Sequence, residues 1–220
     1  MNLDKKILTA LASGVATCAS QGVSVIADLA DAQPRSSSTV GQAAVTTLLA
    51  GSYYAAGPGL VPVFPFQLPT LAAGESFDTA TLTLELASLL GTPTFNGDIV
   101  GLDRTDPSPV VLGVDWGGSG TVLHDDFYTP ASMPGVSSSN DFAAWLNTQY
   151  DNGTNAGEFV FLRVDAEGAT SGATAYSVAS ADNLTLQKPT LDYTTISIPE
   201  PSAASLFGLG CLAFVLRRRK

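Results

Sequence analysis

Residues 80–86, Ala80-Thr81-Leu82-Thr83-Leu84-Glu85-Leu86, alternate between apolar and polar side chains. Successive side chains of a strand point to opposite faces. The stretch therefore predicts a strand with Leu82, Leu84 and Leu86 facing a core and Thr81, Thr83 and Glu85 facing water. Short apolar runs of the same character recur at 45–54, 61–69, 97–103, 109–116, 158–165, 173–180, 183–187 and 189–198, with Gly, Pro, Asn or Asp at nearly every boundary. Pro62, Pro65 and Pro69 place the 61–69 run at a sheet edge, because proline donates nothing to a ladder. One segment breaks the period of two. In 141–150, Phe142, Trp145, Leu146, Gln149 and Tyr150 fall on one face of a helix, with Ser139 or Asn140 as cap and Asn152-Gly153 as exit. Its aromatic stripe predicts a short helix packed over one end of the sandwich, with core burial favoured over carbohydrate stacking. Roughly eight strands and one short helix, spaced by about ten residues, indicate an all-β sandwich.

Composition agrees with that class. The chain has 220 residues, room for one ordinary domain, and its 21 Gly, 13 Pro and 14% charged residues disfavour long helices. The formal charge is -10, but the basic residues crowd the two ends. Between Asp28 and Ile198 there are 18 acidic residues against Arg35, Arg104, Arg163 and Lys188, a surplus of 14 negative charges. Such a surface repels nucleic acid, whose binding requires cations to displace counterions from phosphate. Cys18 and Cys211 lie in the terminal apolar segments, so the folded region has neither a disulfide nor a Cys-rich zinc site.

The two ends read as addresses. Lys5-Lys6 precede an apolar run, residues 7–19, of signal-peptide character, and Val25 and Ala27 stand at the spacing a signal peptidase accepts. We read 1–27 as a signal peptide cut after Ala27, with Thr17 and Ala19 as a second option, and 28–44 as a flexible lead-in. Lipidation at Cys18 is disfavoured by Thr17 before it, and a buried N-terminal helix by the Gly, Ser and Thr interruptions. The other end runs Pro199-Glu200-Pro201, an apolar segment Ser202–Leu216, then Arg217-Arg218-Arg219-Lys220. Fifteen residues span about 22 Å as a helix, short of the roughly 20 residues that a bilayer core asks for. This predicts a short transmembrane helix with its basic end as a cytoplasmic stop and orientation signal, and the sandwich outside. A packed soluble helix would leave these four cations without partners.

Within 45–198 the chemistry is sparse. His124, the only histidine, precedes Asp125-Asp126, but no G-x-S-x-G turn accompanies it. Glu75, Glu85, Glu158 and Glu167 show no pairing specific to glycoside hydrolysis. The expectation is a non-enzymatic domain without an organic cofactor. Oxygen-rich loops offer calcium candidates at Asp151, Asn152, Asn155 and Glu158, and at Asp103 and Asp106, without EF-hand spacing. Tyr53, Tyr54, Trp116 and Tyr128 are the candidate platforms for stacking on a matrix polysaccharide.

Two resemblances follow from residues already quoted. Pro199-Glu200-Pro201 with its apolar segment and basic end resembles the PEP-CTERM sorting signal of bacterial exopolysaccharide-associated proteins, here 199–220. That resemblance implies export through an inner-membrane intermediate, recognition and cleavage by an exosortase after a signal peptidase has acted, and delivery to the cell surface or matrix. The segments PFQLPTLAAGESFDTATLTLEL (65–86), DFAAWLNTQYDNGTNAGEFVFLRV (141–164), YSVASADN (176–183) and KPTLDYTT (188–195) are similar to jelly-roll domains of the DNRLRE or disaggregatase-related type. This implies a jelly-roll-like β-sandwich over 45–198, built like a carbohydrate-binding module. That family's W-x-E and T-W-N-x-P stretches have no match beyond Trp116 with Gly117-Gly118.

Overall fold

The computed structural model describes residues 22–35, 44–52, 59–140, 142–167 and 172–197. Ten strands and one α-helix follow in the order β1 (Val23–Ile26), β2 (Thr47–Ser52), β3 (Val63–Gln67), β4 (Glu75–Leu90), β5 (Gly97–Asp106), β6 (Gly120–Tyr128), β7 (Gly135–Ser139), α1 (Ala143–Tyr150), β8 (Phe159–Ala166), β9 (Thr174–Ala179) and β10 (Thr190–Ser197). The first sheet runs β1-β10-β4-β9-β2, with β7 also on β4; the second runs β3-β8-β5-β6. Every pairing within the two sheets is antiparallel.

β4 is the spine. The alternation of 80–86 extends over 16 residues, and Leu82, Leu84 and Leu86 are buried while Thr81, Thr83 and Glu85 are only half-buried. At Leu82 and Thr83 the strand meets β10 and β7, and at Leu86 it meets β7 and β9. Its leucines share one core with Leu48 of β2, Phe64 and Phe66 of β3, Ile99 of β5, Val160, Leu162 and Val164 of β8, and Val178 of β9. Each such side chain contributes about 1.5–3 kcal/mol on burial. The result is a two-sheet β-sandwich. β3 lies at an edge, as its prolines predict.

The helix also forms as expected, and Phe142, Trp145, Leu146 and Tyr150 are buried. Neither Ser139 nor Asn140 caps it; Phe142 takes the cap position without a side-chain bond. Its exit uses left-handed backbone at Asp151 and Asn152 before Gly153. The Trp145 indole lies so close over Gly101 that a Cβ there would stand 2.3 Å from Cε2.

Two expectations need correction. The runs at 109–116 and 183–187 are not strands: the first is a loop ending in a 3-10 turn, Gly113–Trp116, and the second is a turn organised by Asn183 Oδ1, which accepts the N–H groups of Thr185 and Leu186. Part of the expected lead-in is packed rather than free, with Asp31, Ala32, Gln33 and Pro34 buried and Ala32 bridged to Val63. The strand just before the expected cut at Ala27 pairs within the first sheet. β1 pairs Val23–Ile26 with β10, Ala27 is buried in the core, and its N–H donates to Pro189 O. A cut after Ala27 would remove a strand, whereas one after Ala19 would leave it in place.

A smaller apolar cluster, including Val63, Val100, Leu102, Val111 and Phe161, lies beside the main core. The 107–119 loop is fastened here by two arginines. Arg104 stacks on Phe161 at 3.5 Å and grips Asp115 through Nε–Oδ1 (2.8 Å) and Nη2–Oδ2 (2.7 Å). Arg163 donates from Nη1 to the carbonyls of Asp115, Trp116 and Gly118, and pairs with Asp165 through Nη2 at 2.8 Å. Two of the four basic residues between Asp28 and Ile198 are thus committed to structure, leaving the acidic surplus largely uncompensated.

Candidate functional site

Tyr128 is fully buried, its ring stacked on Tyr176 at 5.3 Å and 23°. Burial pushes its phenol well above the ordinary range. It is a core residue, which corrects its assignment as a stacking platform. Trp116 is half-buried, and its indole N–H donates to Gly59 O at 2.7 Å, pinning one loop to another. Tyr53 and Tyr54 lie outside the described residues. Two open grooves border α1. One, of about 630 Å³, is lined by Asp78, Thr79, Thr81 and Asn140, and the other, of about 360 Å³, by Asp103, Thr121, Thr148 and Gln149 beside the buried Trp145.

His124 sits on β6 with its Nδ1 hydrogen-bonded to Ser139 of β7. The Ser139 hydroxyl also reaches Asn140 O, to which it donates at 3.1 Å. The ring edge rests on Phe127.

The loop expected to hold calcium is a helix exit. Asn155 Nδ2 donates to Gln149 O, Thr154 N to Asp151 O, and Glu158 N to Asn155 O. These bonds are those of a turn closing on itself, and Asp151 is exposed.

Acids converge in two other places. The first is an open corner made by a bulge. Gly97 of β5 pairs with Tyr128 while Ile99 pairs with His124, so extra residues of β6 are extruded, with Asp126 in left-handed backbone at φ 57°. This places Asp125 beside Asp98 and Glu167, carboxylate oxygens all within 4.8 Å; Asp98 is buried and the other two are exposed. Asp98 Oδ1 accepts the Asp126 N–H at 2.8 Å. Burial raises the Asp98 carboxyl above its usual range, with the Asp126 N–H opposing and Asp125, Asp126 and Asp165 reinforcing. The Asp98 charge raises Glu167 in turn.

The second is buried. Asp28 starts a tight turn in which its Oδ1 accepts the Ala30 N–H and its carbonyl accepts the Asp31 N–H. That turn buries Asp31 completely, and its Oδ2 accepts the Ala181 N–H at 2.7 Å. Asp31 Oδ1 has no partner, nor does the buried Oδ2 of Asp182, the residue after Ala181. A stranded buried acceptor costs about 1–3 kcal/mol, more if charged. Burial pushes Asp31 up to about 7; the Ala181 N–H lowers it, Asp182 and Asp28 raise it, and Lys188 lowers it slightly. Spacing alone does not reveal this pair, because Asp31 and Ala181 stand 150 residues apart.

Among the described residues no helix is long and apolar enough to cross a membrane. Pro199, Glu200, Pro201 and the basic cluster Arg217, Arg218, Arg219 and Lys220 lie beyond them, as does the expected transmembrane helix. Comparison with curated proteins finds no match. A family comparison does reach the C-terminal end: residues 197–220 match the PEP-CTERM protein-sorting motif, the mark of an exported, surface-directed chain, starting at Ser197 where β10 ends.

Proposed function

We propose that this chain is an exported, non-enzymatic surface or matrix protein whose acidic β-sandwich is delivered by exosortase cleavage at its C-terminal end. The observation that carries the reading is the sorting-motif match at 197–220, abutting the last strand of a closed domain. Pro199, Glu200 and Pro201 are its recognition residues, and Arg217, Arg218, Arg219 and Lys220 orient the membrane intermediate. The apolar run between them is short for a lasting anchor, which favours a signal that is read and removed. The fold favours a leader cut upstream of β1, after Ala19, since β1 supplies four residue pairs to the first sheet. A surface rich in acids and poor in cations suits a soluble component of a hydrated exopolysaccharide layer.

Glu200→Ala tests the sorting step. The expected result is loss of the processed form and accumulation in the membrane fraction; unchanged size and location would sink the reading. N-terminal sequencing of the exported product tests the leader, with Ser20 expected and Asp28 as the contrary outcome.

A further inference from the structure

We propose that Asp31 is an acid-closed latch: with its carboxyl protonated it holds the turn after β1 against the turn between β9 and β10, and ionisation releases the first turn together with β1. The carboxyl is completely buried, its Oδ2 accepts the Ala181 N–H at 2.7 Å, and its Oδ1 has no partner. A protonated acid needs little else in such a place. A carboxylate leaves charge on an oxygen that neither solvent nor a donor reaches. The charged groups that act on it are Asp182 on the turn between β9 and β10, Asp28 on its own turn, and Lys188 just before β10. Two of the three are acids, and among the described residues Lys188 makes no ion pair with Asp31. Burial pushes the carboxyl up to about 7 against the pull of the Ala181 N–H, so its charge changes near neutral pH.

The hydrogen bonds on either side of Asp31 bound the element that moves. After it the chain is tied to neighbouring segments: Ala32 bridges Val63, the Leu49 N–H donates to Gln33 Oε1, and the Val61 N–H donates to Pro34 O. Before it, β1 lies at the sheet edge and pairs with β10 alone among the described strands, while the Ala27 and Asp28 N–H groups donate to Pro189 O and Pro65 O. The turn that carries Ala181 is held independently, by the Ser180 N–H and Asn183 Nδ2 on Thr46 O. Ionisation therefore displaces residues 22–31 and leaves the 180–183 turn in place. Segments closed by few bonds open locally without unfolding the core. Release bares the flank of β10 from Thr190 to Tyr193, an edge that β1 otherwise covers.

The test is hydrogen exchange at single amides of the full-length chain in mild detergent, from about pH 5 to about pH 9, corrected for the intrinsic rate. The closed form holds the proton more tightly than the open one. The opening constant at Ala181 and Ala27 should therefore rise about tenfold per pH unit up to about pH 7 and level off above it. Leu84, in the core of β4, should exchange far more slowly throughout, which marks the opening as local. Asp31→Asn should remove the rise at both amides. In the parent chain, carbon-13 NMR should show the Asp31 carboxyl titrating near neutral pH. An opening constant independent of pH, exchange at Ala181 as slow as at Leu84, a rise that survives Asp31→Asn, or a carboxyl that titrates in the ordinary acidic range would each overturn the latch.

Discussion

Asp115 and Asp31 are both buried, at 2% and 0% exposure, and the fold treats them in opposite ways. Asp115 receives the two-pronged grip of Arg104 and the N–H of Leu112, so both of its oxygens are occupied. Asp31 receives one amide N–H and nothing on its other oxygen. The first acid carries its cation in the sequence, eleven residues from Arg104. The second has no such cation, and burial pushes its carboxyl up to about 7, toward the protonated form. One buried carboxylate is thus a fixed joint, and the other is a joint whose strength depends on what the surroundings supply.

The largest effect should come from breaking the fixed joint. Arg104→Met leaves Asp115 buried without its cation and removes the stacking on Phe161, and a loss of about 3–5 kcal/mol is expected in urea unfolding. A loss below about 1 kcal/mol would show that Asp115 is relieved by solvent. Next comes Asp31. Its carboxyl is raised to about 7 in the fold. The folded state therefore holds the proton more tightly than the unfolded chain, and the stability from this group is fully present below about pH 4 and lost as pH rises through about 7. Asp31→Asn should flatten that decline. At pH 8 the variant should exceed the parent by about 2–4 kcal/mol, the span of the shift at about 1.4 kcal/mol per pH unit. A decline with pH as steep in the variant as in the parent would erase the contrast between the two joints. The smallest effect belongs to the open corner. Asp125→Ala, at an exposed carboxylate facing Asp98 and Glu167, should change stability by no more than about 0.5 kcal/mol, because water already screens the repulsion.

How much of this is legible in the sequence depends on whether the signal is local. β4 is legible because Leu82, Leu84 and Leu86 repeat at the strand period, and α1 because Phe142, Trp145, Leu146 and Tyr150 repeat at the helical one. β1 is hidden, although Val23-Ser24-Val25 alternates, because the small residues that precede Asp28 also satisfy a signal peptidase. β6 is hidden because its bulge interrupts the alternation at His124-Asp125-Asp126, and β7 because Gly135–Ser139 is mostly serine. The 109–116 run shows the reverse failure. Val110 and Leu112 read as strand residues but are exposed, since Arg104 and Arg163 hold that stretch as a loop. Tyr128 and the Asp31–Asp182 pair are not legible as what they are, since burial of a ring and the meeting of two turns are tertiary facts. The sorting motif is legible in full, because a linear tag is read as sequence and not as shape.

The last strand passes directly into that tag. β10 lies between β1 and β4, paired with both, and ends at Ser197 opposite Glu75. A chain held by this end would take mechanical load along β10 itself, and the ladders on its two flanks would be sheared together rather than peeled apart one bond at a time. Resistance to such pulling is set by the rate of forced opening. The tag thus follows a strand whose first half is paired on both sides and whose last residues, up to Ser197, pair with β4.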